Sequence, residues 1–148
     1  MKHKSHQDSI CPVARSLDVI GEWWSLLIVR DAMIGVKRFS EFERRLGMAK
    51  NILTARLKRL VEEGILRVVP ASDGSAYNEY ELTKKGEDLL PVMVTLRQWG
   101  DKYMFRAGEE HSVLLDARDH KPLAEIAVRS TDGRKLGVGD VEVVLPGR

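Results

Sequence analysis

The stretch Phe39–Gly64, FSEFERRLGMAKNILTARLKRLVEEG, constrains this chain more than any other. Ser40 is placed to cap a first helix, and Glu43 three residues on completes a capping box. Phe42 and Leu46 share one face of that helix, with Glu41, Arg44 and Arg45 on the other. Gly47 ends it, because glycine enters the left-handed conformation without a Cβ penalty. A second helix is predicted from Ala49 to Glu63, with Leu53, Leu57, Leu60 and Val61 at helical spacing and Gly64 closing it. The face away from that stripe carries Asn51, Thr54, Ala55 and Lys58, with Lys50 and Arg59 at its edges. Two helices joined by a tight turn, the second presenting short polar and basic side chains, form a helix-turn-helix pattern. The second helix of such a motif enters the DNA major groove. Two packed helices with a solvated charged face account for the same spacing, so the pattern alone leaves both readings open.

Charge placement favours the first reading. The net charge is only +2 over 148 residues. Between Arg30 and Arg67, however, ten basic residues face five acidic ones, whereas residues 109–148 hold six basic and eight acidic. Phosphate attraction needs positive charge on the helix-turn-helix, although ordinary surfaces also carry such an excess. A hydrophobic content of 43% supports a packed core. No apolar run is long enough to span a bilayer, and MKHKSHQDS is no signal peptide, so a cytoplasmic protein with no membrane contact is expected. The single cysteine, Cys11, excludes an internal disulfide framework and a cysteine-rich metal site.

The flanks of the motif complete the expectation. A polar start, residues 1–9, leads to a helix opening at Cys11-Pro12, since proline suits the first helical position. Its apolar side is Val13, Leu17 and Ile20, and Gly21 breaks it. Trp23–Ile34, WWSLLIVRDAMI, reads as the central buried helix, with Leu26, Leu27, Val29 and Met33 among its contacts. Lys37 and Arg38 sit in the following loop, as a phosphate clamp or as solvated surface. Ile65–Val69 and the alternating Tyr77–Leu82 flank Ser72-Asp73-Gly74-Ser75, a hairpin in the position of a wing. Thr83 caps a long helix that Pro91 kinks or restarts. Its stripe of Leu89, Val92, Met93, Leu96, Trp99 and Tyr103 is wider than a domain of this size must cover, which points to a second copy of the chain. Residues 1–108 thus form one domain. Residues 109–148 form a small β appendage, with strands at Val113–Leu115, Leu123–Val128 and Val141–Leu145 and a turn at Thr131-Asp132-Gly133 between the last two. Pro146-Gly147-Arg148 is a tail.

Enzyme signatures are missing. There is no Gly-x-Ser-x-Gly elbow, phosphate loop or His-Glu-x-x-His. His3 and His6 have a loose metal-like spacing in the polar start, and His111 and His120 are isolated, so neither a catalytic nor a metal site is expected. The three tryptophans read as core before they read as a ligand pocket. Cys11 stands at the N-terminus of the first helix, where unpaired N–H groups and the helix dipole favour the reactive thiolate. Arg15, four residues on, is placed to reach back toward the sulfur. A small buried cysteine would instead be inert.

Several motifs in order carry a family resemblance. CPVARSLDVIGEWWSLLIVRD, G-x-x-RFSEFERRL, NILTARLKRLVEEGIL, YELTKKGEDLLPV and LRQWG resemble the HxlR-type winged helix-turn-helix transcription regulators, over about residues 10–105. The resemblance implies a mostly α fold with a β-hairpin wing. It also implies a homodimer on a pseudo-palindromic double-stranded DNA operator, no cofactor, and an effector that the sequence does not name. Carried over by position, Lys50, Asn51, Thr54 and Lys58 become groove or base-edge contacts. Lys37, Arg38 and Arg56 become phosphate contacts, and Ser40 joins the DNA-facing set. Val13 and Leu17 of the first helix, with the stripe of the last, become the dimer contacts. Some members resemble redox sensors with a cysteine where Cys11 stands. Three departures are visible. The wing, RVVPASDGSAYNEYEL, is poor in cations and has Asn78 where an arginine is common. Glu22-Trp23-Trp24 replaces a Gly-Lys-Trp. No cysteine follows Cys11. The weak wing leaves a protein-interaction module on a winged-helix scaffold as the alternative to a DNA reader.

Overall fold

The computed structural model describes residues 4–147, so His3 of the polar start and Arg148 of the tail lie outside the described residues. Two compact units divide inside the last long helix, the first ending at Met93 and the second beginning at Val94. The domain boundary read from the sequence lay further on, at 108/109.

The first unit contains α1 (Pro12–Ile20), α2 (Ser25–Met33), α3 (Phe39–Leu46), α4 (Lys50–Glu62), β1 (Leu66–Pro70), β2 (Asn78–Leu82) and α5 (Lys84–Glu87). The start of α6 (Leu90–Tyr103) also belongs to it. Pro12 opens α1 behind an extended Cys11, and Gly21 closes it. The buried centre joins Ile28 and Val29 of α2 to Phe42 of α3, Leu53, Leu57 and Leu60 of α4, and Ile65 and Leu66 entering the wing. The apolar period of α4 therefore faces the core as its spacing requires.

Two helix starts differ from expectation. Ser40 caps nothing: Arg38, extended at φ −96° and ψ 145°, precedes the helix, and Ser40 lies within its first turn. The central helix begins at Ser25, not Trp23, because the Glu22 carboxylate accepts the Trp24 N–H at 3.0 Å and the Ser25 hydroxyl at 3.3 Å. Trp23 is 90% exposed in consequence. Gly47 takes the left-handed C-terminal position expected of it, at φ 65°.

β1 and β2 pair antiparallel from Leu66↔Leu82 to Pro70↔Asn78. The Lys37 carbonyl accepts the Tyr80 N–H at 2.8 Å, which fastens the loop before α3 to the outer edge of the wing. The Thr83 hydroxyl accepts the Gly86 N–H at 3.1 Å, so the expected cap is present. It serves only the four-residue α5. The chain restarts as α6 with Pro91 in its first turn, where a missing N–H costs nothing. Gly86 is required there: a Cβ would stand 2.3 Å from the Ile65 carbonyl oxygen.

The second unit has no regular strand among the described residues 109–147. The three expected strands reduce to isolated bridges at Leu115↔Pro122 and Arg129↔Lys135. Proline offers no N–H to extend the first. Asp116 and Asp119 take the Arg118 and Lys121 N–H groups at 2.8 and 3.0 Å, and His120 adopts φ 58°, all turn chemistry that stops a ladder. The Thr131-Asp132-Gly133 turn forms. It folds Val128–Ser130 onto Arg134–Leu136, through Ser130 N–H to Arg134 O and Leu136 N–H to Val128 O, and not onto Val141–Leu145. The only helical piece is a 3₁₀ turn at Val138–Asp140.

Candidate nucleic-acid interface

A surface that reads DNA needs a rigid element presenting side chains outward and cations around it. α4 supplies the element. Leu53, Leu57 and Leu60 are fully buried on one side, and Asn51, Thr54, Ala55 and Lys58 are all exposed on the other. The Thr54 hydroxyl donates to the Lys50 carbonyl at 2.8 Å, which leaves its lone pairs outward as acceptors. Lys58 makes a loose pair with Glu62, 3.9 Å apart and exposed, worth little in water. Lys50 stands exposed at the first position of α4.

The first helix of the motif is pinned from beneath. Asp31 on α2 is fully buried, and its carboxylate takes Arg45 of α3 at 3.1 Å and Arg30 at 3.1 Å. Asp31, through its hydrogen bond and charge, holds the Arg45 guanidinium above its ordinary pKa.

The cations sort into free and engaged. Lys37 is exposed, and its charge contributes to a lowered pKa at Glu79. Arg38 is hydrogen-bonded to Asp73 in the wing turn. The Ser75 N–H and hydroxyl, and then Arg38, bring the Asp73 carboxyl down from 3.8 to about 2. Glu79, buried beside them, is lowered chiefly by the Ser72 N–H. Arg38, Phe39, Ser40, Tyr77, Asn78 and Tyr80 line a cleft of about 560 Å3 between α3 and the wing. Arg56 is also engaged. Its Nε lies 3.3 Å from Glu22 Oε2, close enough for an ion pair and misaligned for a hydrogen bond. Arg67, a wing cation, pairs with Glu81 at 2.7 Å. Sequence reading missed Glu22, Asp31, Asp73 and Asn78. The sequence signals were an acid within an apolar helix and acids flanking the cations.

The other expected residues are placed as follows. Val13 and Leu17 of α1 are exposed, as are Val92, Leu96, Trp99 and Tyr103 of α6. Leu89 and Met93 instead pack against the core of their own unit. Cys11 is exposed at the start of α1, and its N–H meets Ser9 Oγ at 3.1 Å. Arg15 does not reach the sulfur, because its Nε donates to the Ser9 carbonyl. Among the described residues no cluster of His, Cys, Asp and Glu is arranged to hold a metal, and no helix is long and apolar enough to cross a membrane.

A helix-turn-helix followed by a two-stranded wing, with a polar and basic outer face on its second helix, defines a DNA-binding transcription regulator. Residues 19–107 match the model of the HxlR-like helix-turn-helix family, and the chain belongs to that family. It is 44% identical over 102 residues to the uncharacterized HTH-type transcriptional regulator Rv3095 of Mycobacterium tuberculosis, covering 69% of this chain. The match spans 65% of that relative's length. The crystal structure of PA1607, described as a candidate transcription factor, superposes with a TM-score of 0.91 at 50% identity, covering 95% of this chain and 99% of that one. The redox regulator HypR in its oxidized form is similar at a TM-score of 0.57 and 33% identity, over 62% of this chain and 96% of that one.

Proposed function

We propose that this chain is a sequence-specific regulator that binds a pseudo-palindromic double-stranded DNA operator as a homodimer, with α4 reading bases in the major groove. The observation that carries this reading is the outer face of α4: Asn51, Thr54, Ala55 and Lys58 together in solvent on a helix held by three fully buried leucines. Asparagine and threonine at such positions meet base edges, and Lys58 and Lys50 reach groove acceptors or phosphates. Lys37 and Ser40 are phosphate contacts of the same surface. Arg38 and Arg56 join them by exchanging Asp73 and Glu22 for phosphate. The exposed apolar side chains of α1 and of α6 are the dimer contacts, and no cofactor is needed for folding. Cys11, exposed and similar in placement to the start of a family that includes HypR, is the redox-responsive position.

Selection of genomic fragments by the full chain, followed by mobility shifts under excess competitor DNA, tests the reading. A reader retains specific fragments that share a two-fold repeat. The neutralised wing, with Arg67 on Glu81 and Arg38 on Asp73, favours a second reading as an interaction module. Such a module would enrich no sequence.

A further inference from the structure

The C-terminal unit contains a cavity of its own, about 210 Å3, against one side of α6. That is below the ~300–1,000 Å3 of pockets for drug-sized ligands, and it sizes the site for a small metabolite. Val94, which is buried, Val113, Leu115 and Leu123 form its apolar wall. Arg97 and Asp101 stand on its rim, one helical turn apart. Side chains so spaced are neighbours, yet among the described residues these two are not paired with each other. Arg97 directs both terminal nitrogens to the neutral Ser112 hydroxyl, at 3.2 and 2.9 Å. Asp101 lies 3.5 Å from His111 Nδ1, which is nearer to the Ser112 carbonyl, at 2.9 Å, and donates there. Gln98 between them locks the extension to the helix, giving its Nε2 to the Ala124 carbonyl at 3.0 Å and taking the Ile126 N–H at 2.7 Å. The rim therefore offers one cation and one anion, each occupied by weak partners, over an apolar hollow.

We propose that this cavity binds an aliphatic α-amino acid as its zwitterion. The carboxylate lies on Arg97, the ammonium on Asp101, and a side chain of leucine size against Val94, Val113, Leu115 and Leu123. A simple carboxylic acid would put its charge beside Asp101, and a simple amine beside Arg97. Only a ligand carrying both charges, with an apolar tail, complements the rim and the wall together. The site lies within the C-terminal unit and stands whether or not α4 reads bases.

Calorimetric titration of the full chain with L-leucine, isocaproate and isoamylamine tests it, since the last two lack the ammonium and the carboxylate respectively. Leucine should bind saturably, with each analogue at least about tenfold weaker, as expected when one charge-assisted contact is lost. Arg97→Gln should reduce leucine to the level of isoamylamine, and Asp101→Asn to that of isocaproate. Val113→Trp, at an exposed position on the cavity wall, should block leucine while leaving the thermal transition in place. Absence of saturable leucine binding, equal affinity for all three compounds, or indifference to both rim substitutions overturns the assignment.

Discussion

Arg45 of α3 reaches the fully buried carboxylate of Asp31 on α2, with Nε 3.1 Å from Oδ2 and a second nitrogen 3.4 Å from Oδ1. A buried carboxylate is tolerated only when it is paired and hydrogen-bonded. Here the pair fixes the first helix of the DNA-binding motif to the core, and with it the angle at which α4 is presented.

Asp31→Asn should therefore weaken the fold more than a surface change would. The amide keeps the shape but turns a donor toward Arg45 and loses the charge. The expected loss is about 1–3 kcal/mol of unfolding free energy, read by urea denaturation. A variant as stable as the parent would show that Arg30 and Arg45 satisfy the site without the charge.

Asp73 restrains Arg38. With its carboxyl at about 2 in the folded chain against an ordinary 3.8, the bridge adds stability above the unfolded value. That stability is lost only as the pH falls through about 2, so the bridge is intact at any pH used for DNA binding. Asp73→Asn should release Arg38, raise affinity for random duplex, and steepen the dependence on log salt by about one unit per added phosphate contact. An unchanged salt slope would mean that Arg38 meets no phosphate.

Much of this was legible in the sequence. The 3.6-residue period of Leu53, Leu57 and Leu60, the Gly47 stop and the Thr83 cap are local signals, and the structure keeps them. What was not legible is pairing between distant residues. Arg38 meets Asp73, and Arg56 meets Glu22, across gaps that no spacing rule spans. Ser40 misled because Ser-x-x-Glu fits a capping box, while the extended backbone at Arg38 starts the helix earlier. The extension misled because alternation marks a strand only where a partner edge exists. Val143 and Val144 lie in solvent instead.

The chain should sediment as a dimer at micromolar concentration. Leu17 on α1 and Leu96 on α6 are exposed leucines on helices that a monomer has no reason to leave apolar. Leu17→Glu or Leu96→Glu should shift the species to monomer without unfolding it. A monomeric parent chain would remove the dimer from the account.

Oxidation should act through Cys11 if it acts at all, since no other cysteine exists. Thiol reactivity across pH, with DNA binding measured before and after mild oxidant, should show a change that Cys11→Ser abolishes. An oxidant effect that survives in the serine variant assigns it elsewhere, and no effect leaves Cys11 structural.

The central claim is that the outer face of α4 reads bases. Fluorescence anisotropy of the full chain on a selected operator and on a random duplex of equal length, at one salt concentration, tests it with Asn51→Ala and Thr54→Ala. The account predicts a loss of about 1–3 kcal/mol on the operator, roughly 5- to 150-fold, with binding to random duplex unchanged. Equal losses on both duplexes, or none on the operator, would contradict it.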